Sequence, residues 1–246
     1  MKNVTLIIPA YNEEETLSEL LTKVCELEFV QQILLVDDSS TDSTPEIAQE
    51  LASKYTHLDF VRHEQNKGKT AAIKSVLKKI EGEIVVIQDA DLEYDPEELR
   101  YVCEPIWDNI ADVVYGSRFL TRRASRVLYF YHYLANKALT FLSNLFTNKN
   151  MTDIETCYKA FRTPFLAKMP ITSSGFGFEV EVTANVSKTR ARVYEVPISY
   201  YGRTYEEGKK ISARDGLMAL WYVFYFNLFT SSETKKYLKK MELFCK

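Results

Sequence analysis

Cysteine is scarce in this 246-residue chain and never paired: Cys25, Cys103, Cys157 and Cys245 stand far apart, with no CxxC spacing. With only three histidines besides, zinc-ligand patterns are absent and the thiols read as reduced. Basic charge is not in excess either. Thirty-one Lys and Arg against 34 Asp and Glu leave a net charge of -3, without the positive footprint that a phosphate backbone requires. Nucleic acid is not expected as a partner. Apolar runs of membrane-spanning length are lacking as well. Leu217 to Phe229 is apolar apart from Asn227, yet its 13 residues make about 20 Å of helix against a hydrocarbon core of about 30 Å. A single lysine precedes VTLII, too short a lead for a secretory signal, so the expected location is the cytoplasmic side.

What is present is ordinary globular material, 46% apolar and 26% charged, enough for one large domain with appendages. Val4 to Pro9, Ile33 to Asp37, Ile84 to Gln88 and Val113 to Tyr115 are short, nearly continuous β-branched runs, as parallel strands covered on both faces require. Between them, Leu17, Leu20, Leu21 and Val24, and then Ile73, Val76, Leu77 and Ile80, recur at helical spacing. Asn12 is expected to cap a helix whose first turn is Glu13 to Glu15; Thr44-Pro45 puts proline at a first helical position, and Asp95-Pro96-Glu97-Glu98 reads as a capping box. Alternating units of this kind predict an α/β fold with a doubly wound, mostly parallel sheet and helices on both faces, its ligands at the carboxyl ends of the strands.

Three strands end in polar runs at that edge: Pro9-Ala10-Tyr11-Asn12-Glu13, Asp37-Asp38-Ser39-Ser40 and Asp89-Ala90-Asp91-Leu92-Glu93. Carboxylates gathered in a cleft raise one another's pKa unless a cation joins them, and a hard ion with oxygen ligands, Mg2+ or Mn2+, resolves the conflict while also binding phosphates. The competing reading is that such residues merely cap the following helices. It carries more weight for Asp38 and Asp95 than for the Asp89/Asp91 pair with Glu93 two residues on.

IIPAYNEE, LLVDDSSTDST, the basic turn Asn66-Lys67-Gly68-Lys69, VIQDADLE and YGSRF, in that order over roughly residues 1 to 120, resemble the family 2 glycosyltransferases of GT-A fold. The resemblance implies a nucleotide diphosphate sugar donor, with Pro9, Tyr11, Glu13 and Asp38 around base and ribose, and Ala10, Val36, Lys67, Gly68 and Ala90 among the other residues that bind it. It also implies metal held by Asp89 and Asp91, with Glu93 as a possible third ligand. In the second half, Asp153 to Lys159, Phe176-Gly177-Phe178-Glu179 and Tyr200-Tyr201-Gly202-Arg203 with Gly208-Lys209-Lys210 look like the dolichyl-phosphate mannose synthases and related polyprenyl-phosphate transferases. That likeness implies Arg203 and Lys209 closing over the donor diphosphate, Arg118 and Arg126 meeting an acceptor phosphate, and catalysis by Asp91, Arg118, Arg203 and Lys209.

The implied reaction is inverting transfer of one sugar from a UDP- or GDP-linked donor to a polyprenyl or dolichyl monophosphate. A phosphate monoester is ionised near neutral pH and needs no dedicated base. A sugar or protein hydroxyl acceptor would need one, with Asp153 or Glu179 as candidates, and a non-catalytic sugar-nucleotide-binding subunit is a further alternative. His132 reads as a packing residue, and Glu179 and Glu181 as solvent-facing residues of a helix from Glu179 to Lys188.

From Arg126 to Thr147 an apolar helical face repeats through Val127, Phe130, Tyr131, Leu134, Ala138, Phe141, Leu142 and Leu145, and the opposite side is apolar too. With the aromatic run from Leu217 and its flanking lysines, this helix suits a membrane interface or, alternatively, contact between two copies of the chain. The expected plan is therefore a catalytic domain over 1–210, with 1–120 its donor half and 121–210, including helix 126–147, its acceptor half. An interfacial helix and basic tail over 211–246 would rest peripherally on the membrane.

Overall fold

The computed structural model describes residues 3–120, 126–127, 129–204, 206 and 213–244. Seven strands, β1 (Val4–Ala10), β2 (Val30–Asp37), β3 (Leu58–Arg62), β4 (Ile84–Ile87), β5 (Val113–Ser117), β6 (Lys159–Arg162) and β7 (Val193–Pro197), form one sheet in the order β3-β2-β1-β4-β6-β5-β7. All neighbours are parallel except β6, which runs antiparallel between β4 and β5. The doubly wound, mostly parallel sheet is thus as expected. Ile7, Ile8, Leu34, Leu35, Val85 and Val86 are wholly buried, because helices cover both faces. Each such side chain contributes about 1.5–3 kcal/mol by leaving water.

Arg192 to Tyr200 also reads as a strand and is found as β7, but two strands had no clear sequence signal. β3 is an edge strand whose buried Leu58 is followed by exposed Asp59, so it lacks a continuous apolar run. β6 has only four residues, beginning with a lysine. It matters for the site, since pairing Lys159 with Ile87 lays the segment before β6 beside the carboxylates that follow β4.

The helices are α1 (Leu17–Cys25), α2 (Thr44–Lys54), α3 (Lys69–Val76), α4 (Leu99–Trp107), α5 (Phe130–Thr147), α6 (Thr163–Ala167), α7 (Phe178–Ser187), α8 (Ala213–Leu228) and α9 (Ser232–Phe244). Asn12 does not cap α1. It adopts a left-handed conformation (φ 51°), and its Oδ1 accepts the Thr41 N–H at 2.9 Å, so it clasps the loop after β2 while residues 14–16 turn into α1. The capping box at Asp95 is half made. Asp95 accepts the Glu97 N–H, but Glu98 turns away to accept the Ser199 N–H at 2.6 Å. α9 folds back through Tyr237, whose hydroxyl donates to the Phe165 carbonyl at 2.9 Å.

α5 is inverted relative to an ordinary surface helix. Its buried residues are Thr140 and Ser143, while Phe141 and Leu145 are 66% and 68% exposed. α7 and α8 lie against it, with Val180, Ala219 and Val223 forming a small core that Leu139 and Leu142 of α5 join. α7 itself is buried nearly all round. Glu179 and Glu181 are therefore not solvent-facing: Glu181 accepts the backbone N–H groups of Thr172 and Ser173, and Glu179 enters the site below.

Candidate active site

β1, β2 and β4 are parallel, so the loops after them crowd one edge, and their side chains lock that edge before any ligand arrives. Asp37 holds Arg62 at 3.1 Å. Asp38 accepts from His63 Nδ1 at 2.7 Å and from the N–H groups of Lys67 and Gly68, fixing the turn that starts α3. Gly68 has φ +84°, and a Cβ there would meet the Gly175 Cα at 3.0 Å. Glycine is required for that approach, which lets Thr70 bond the Gly175 carbonyl through both its N–H and its hydroxyl.

The carboxylates meet two cations from distant parts of the chain. Lys69 bridges Asp89 at 2.7 Å and Glu179 at 2.8 Å. Burial opposes its charge, but Asp89 and Glu179 hold its pKa well above the ordinary lysine value. Arg203 reaches Asp91 at 3.0 Å and Glu13 at 3.3 Å. Glu93 accepts the Tyr200 hydroxyl at 2.9 Å and the Arg203 N–H at 2.7 Å, anchoring the segment that carries Arg203. Negative charge remains in surplus even so. Burial, then Asp89 and Glu93, push the Asp91 carboxyl up to about 8, and Arg203 offsets only part of this.

Among the described residues no group of three or more His, Cys, Asp or Glu side chains is arranged as a metal cage. The donor set nevertheless fits a hard cation. Asp89 and Asp91 offer oxygens, and the repulsion that raises Asp91 is what a divalent ion would relieve; Mg2+ in particular needs only one or two carboxylates alongside phosphate and water. Glu93 fits less well as a third ligand, since its carboxylate is committed to Tyr200 and Arg203.

A cavity of about 1440 Å³ joins most of the anticipated residues. Pro9, Ala10, Tyr11, Glu13, Asp38, Gly68, Asp89, Ala90, Asp91, Glu93, Arg118, Arg126 and Arg203 line it, and so do Tyr129, Phe130, Tyr133, Leu139 and Leu142 before and along α5, with Leu217 and Leu220 of α8. Val36 does not belong here. It is fully buried inside β2, because the strand continues to Asp37 before the chain turns. Lys67 contributes its backbone N–H to Asp38 rather than a lining side chain. Lys209 lies outside the described residues.

Arg118 is held differently from expectation. Its guanidinium pairs side-on with Asp153 (Nε 2.7 Å, Nη2 2.8 Å), also donates to Asn136, and lies 5.1 Å from the Tyr200 ring. The pairing explains Asp153: burial alone would raise its pKa, but Arg118 holds it below the ordinary carboxylate value. Arg126 donates to the Gly202 carbonyl at 3.0 Å, beside Arg203. Lys69 and Glu155 were missed. Nothing in the turn Asn66 to Lys69 distinguishes Lys69 from Lys67, and only folding shows which of them is buried. Glu155 lies in a noted motif, yet no spacing marks it.

A mixed sheet of this order, covered on both faces and carrying an Asp-x-Asp pair in a cleft at the end of β4, defines the GT-A class of fold. Within that class, the chain belongs to glycosyl transferase family 2, whose family model matches residues 5–169. It is 31% identical over 210 residues to dolichol-phosphate mannosyltransferase of Pyrococcus furiosus, an alignment covering 84% of this chain and 58% of that protein. It is 32% identical over 215 residues to undecaprenyl-phosphate 4-deoxy-4-formamido-L-arabinose transferase of Salmonella choleraesuis, covering 85% and 63% respectively. The chain thus spans about three fifths of the length of these relatives. Among solved structures it resembles glucosyl-3-phosphoglycerate synthase of Mycobacterium tuberculosis in complex with Mn2+, UDP and glucosyl-3-phosphoglycerate, with a TM-score of 0.72 and 19% identity over 94% of this chain and 81% of that one. That likeness concerns the fold.

Proposed function

We propose that the chain transfers one sugar from a UDP- or GDP-linked donor to a polyprenyl or dolichyl monophosphate at a membrane surface, with inversion at the anomeric carbon. The observation that carries this reading is the continuity of the cavity. Its lining includes Asp89, Asp91 and Arg203, suited to a diphosphate, and also Tyr133, Leu139, Leu142, Leu217 and Leu220, suited to an isoprenoid tail. The named relatives, a dolichol-phosphate and an undecaprenyl-phosphate transferase, support the same acceptor class.

Asp89 and Asp91 would hold Mg2+ or Mn2+, which when bound neutralises the departing diphosphate. Arg203 supplies a second positive charge there, and Lys209 follows it in the same segment. Arg126, which donates to the Gly202 carbonyl, would draw the acceptor phosphate toward the anomeric carbon, with Arg118 packed against Tyr200 to hold that wall. The hydroxyl-acceptor alternative is less well supported, because Asp153 is paired with Arg118 and one oxygen of Glu179 with Lys69.

Membrane contact is supported by the outward aromatic face of α5 and by α8, where Leu217 and Trp221 are 70% and 57% exposed. No described helix is long and apolar enough to cross a membrane. The proposal is tested by incubating the protein with undecaprenyl phosphate, Mn2+ and a panel of UDP- and GDP-sugars, reading lipid-linked product by mass spectrometry. A product one sugar heavier than the lipid phosphate is expected; donor hydrolysis without lipid product would overturn the reading.

A further inference from the structure

Asp89 and Asp91 each line the cavity with one oxygen already taken by the protein itself. Lys69 Nζ lies 2.7 Å from Asp89 Oδ1, and the Glu93 N–H donates to Asp91 Oδ1 at 3.2 Å. The Cys157 thiol, a weak donor, adds to the hold on Asp89. Arg203 lies on the second Asp91 oxygen, Oδ2.

Lys69 is kept where two effects oppose it. It is the first residue of α3, at the end of the helix dipole that disfavours a cation, and its side chain is only 13% exposed, so burial disfavours the charge as well. Two carboxylates offset those costs: Asp89, and the nearly buried Glu179 in the first turn of α7, 2.8 Å away. The backbone that carries Lys69 is fixed on both sides. The Gly68 N–H donates to Asp38 at 2.6 Å, and Thr70 gives both its N–H and its hydroxyl to the Gly175 carbonyl. An ion entering the cavity therefore meets Asp89 with Lys69 still in place.

That restraint bears on which ion fits. A carboxylate with one oxygen held by an ammonium binds a metal through the other oxygen alone. Mg2+ accepts this, since it demands near-octahedral geometry, keeps several waters and needs few carboxylates beside a substrate phosphate. Ca2+ gathers about six to eight oxygens and readily grips one carboxylate by both. Resting on the function proposed above, we infer that Lys69 is a positioning residue that sets the metal preference of the site, making Asp89 a one-oxygen ligand and so favouring Mg2+ over Ca2+.

Mn2+ serves as the spectroscopic probe. With UDP present, and GDP in a second series, protein-bound Mn2+ is followed by electron paramagnetic resonance while Mg2+ or Ca2+ is titrated against it. The ratio of the two displacement constants is then compared between variants. Both ions are divalent, so the ratio cancels the charge that a substitution adds or removes, and it cancels a uniform loss of folded protein too. The unsubstituted protein should yield its Mn2+ to less Mg2+ than Ca2+. In Lys69→Met the ratio should move about tenfold toward Ca2+, as both Asp89 oxygens become available. Lys69→Met combined with Glu179→Gln also removes the second charge that the ammonium balanced. It should show the same shift, and it decides the matter if the single variant does not fold. Glu179→Gln alone keeps Lys69 on Asp89 and should leave the ratio as it is.

An unchanged ratio in the Lys69 variants would overturn the inference, since it marks Lys69 as a structural bridge only. So would an unsubstituted protein that yields Mn2+ to Ca2+ as readily as to Mg2+. Neither result touches transfer to lipid phosphate, which the lipid-linked product reports separately: the predicted ratios without that product would overturn the parent function alone. Failure to bind Mn2+ with either nucleotide would overturn both the inference and the metal-assisted reading it rests on.

Discussion

Arg203 reaches across 112 residues of chain to place a guanidinium nitrogen 3.0 Å from the Asp91 carboxylate. The contact puts a mobile type of cation where a divalent ion would also bind, so the two compete until a diphosphate arrives to be shared. In Arg203→Ala, Mn2+ alone should bind more tightly than to the unsubstituted protein, while sugar-nucleotide affinity falls about tenfold or more for want of a charged partner. Electron paramagnetic resonance of free Mn2+ and calorimetry of the donor read the two effects separately.

Asp91 and Glu93 should part company under the same measurement. Asp91→Asn removes the carboxylate with the most unneutralised surroundings, and both Mn2+ binding and transfer should fall, the latter by about 10²–10³. Glu93→Gln should leave Mn2+ affinity nearly unchanged. Its effect should appear as a raised KM for the donor, because the Tyr200 and Arg203 contacts loosen.

Asp153 is predicted to matter for stability more than for proton transfer. Asp153→Asn leaves the buried Arg118 without its counter-charge and should cost about 3–5 kcal/mol in denaturant titrations at pH 7. The pair also fixes a sign for pH. Because Asp153 titrates below its ordinary value of 3.8 when folded, its contribution is present above that value and is lost as pH falls through the lower, folded pKa. The acid limb of a stability profile should therefore flatten in the variant.

The strand-end carboxylates were legible because they follow continuous β-branched runs, a local pattern that survives folding unchanged. Their partners were not. Lys69 and Lys67 look alike in sequence, and the difference between a buried bridge and a backbone donor arises only when Asp89 and Glu179 are brought to one place. Asn12 misled for the same reason: its side chain is taken by Thr41, from the loop after a different strand. Arg118 lines the cavity, but its contact with Asp153 is tertiary and has no mark in the sequence. The outward turn of α5 likewise depends on Thr140 and Ser143 packing inward, a choice that its two apolar sides left open.

The exposed aromatic rows make a separable prediction. Trp221→Ala with Phe224→Ala should reduce flotation with anionic liposomes at low salt, and lower activity on lipid-embedded acceptor, while leaving sugar-nucleotide affinity intact. Indifference of the unsubstituted protein to liposomes, together with full activity of the double variant, would remove α8 from the membrane account.

The central claim is that the acceptor is a phosphate, and competition tests it most directly. Undecaprenyl phosphate and undecaprenol are offered in equal amounts in the same vesicles, with Mn2+ and a sugar nucleotide the protein binds, and both products are weighed by mass spectrometry. The account predicts sugar on the phosphate alone, since a phosphate monoester is ionised near neutral pH and needs no base, whereas Asp153 and Glu179, the candidate bases for an alcohol, pair with Arg118 and Lys69. Comparable glycosylation of undecaprenol would contradict it.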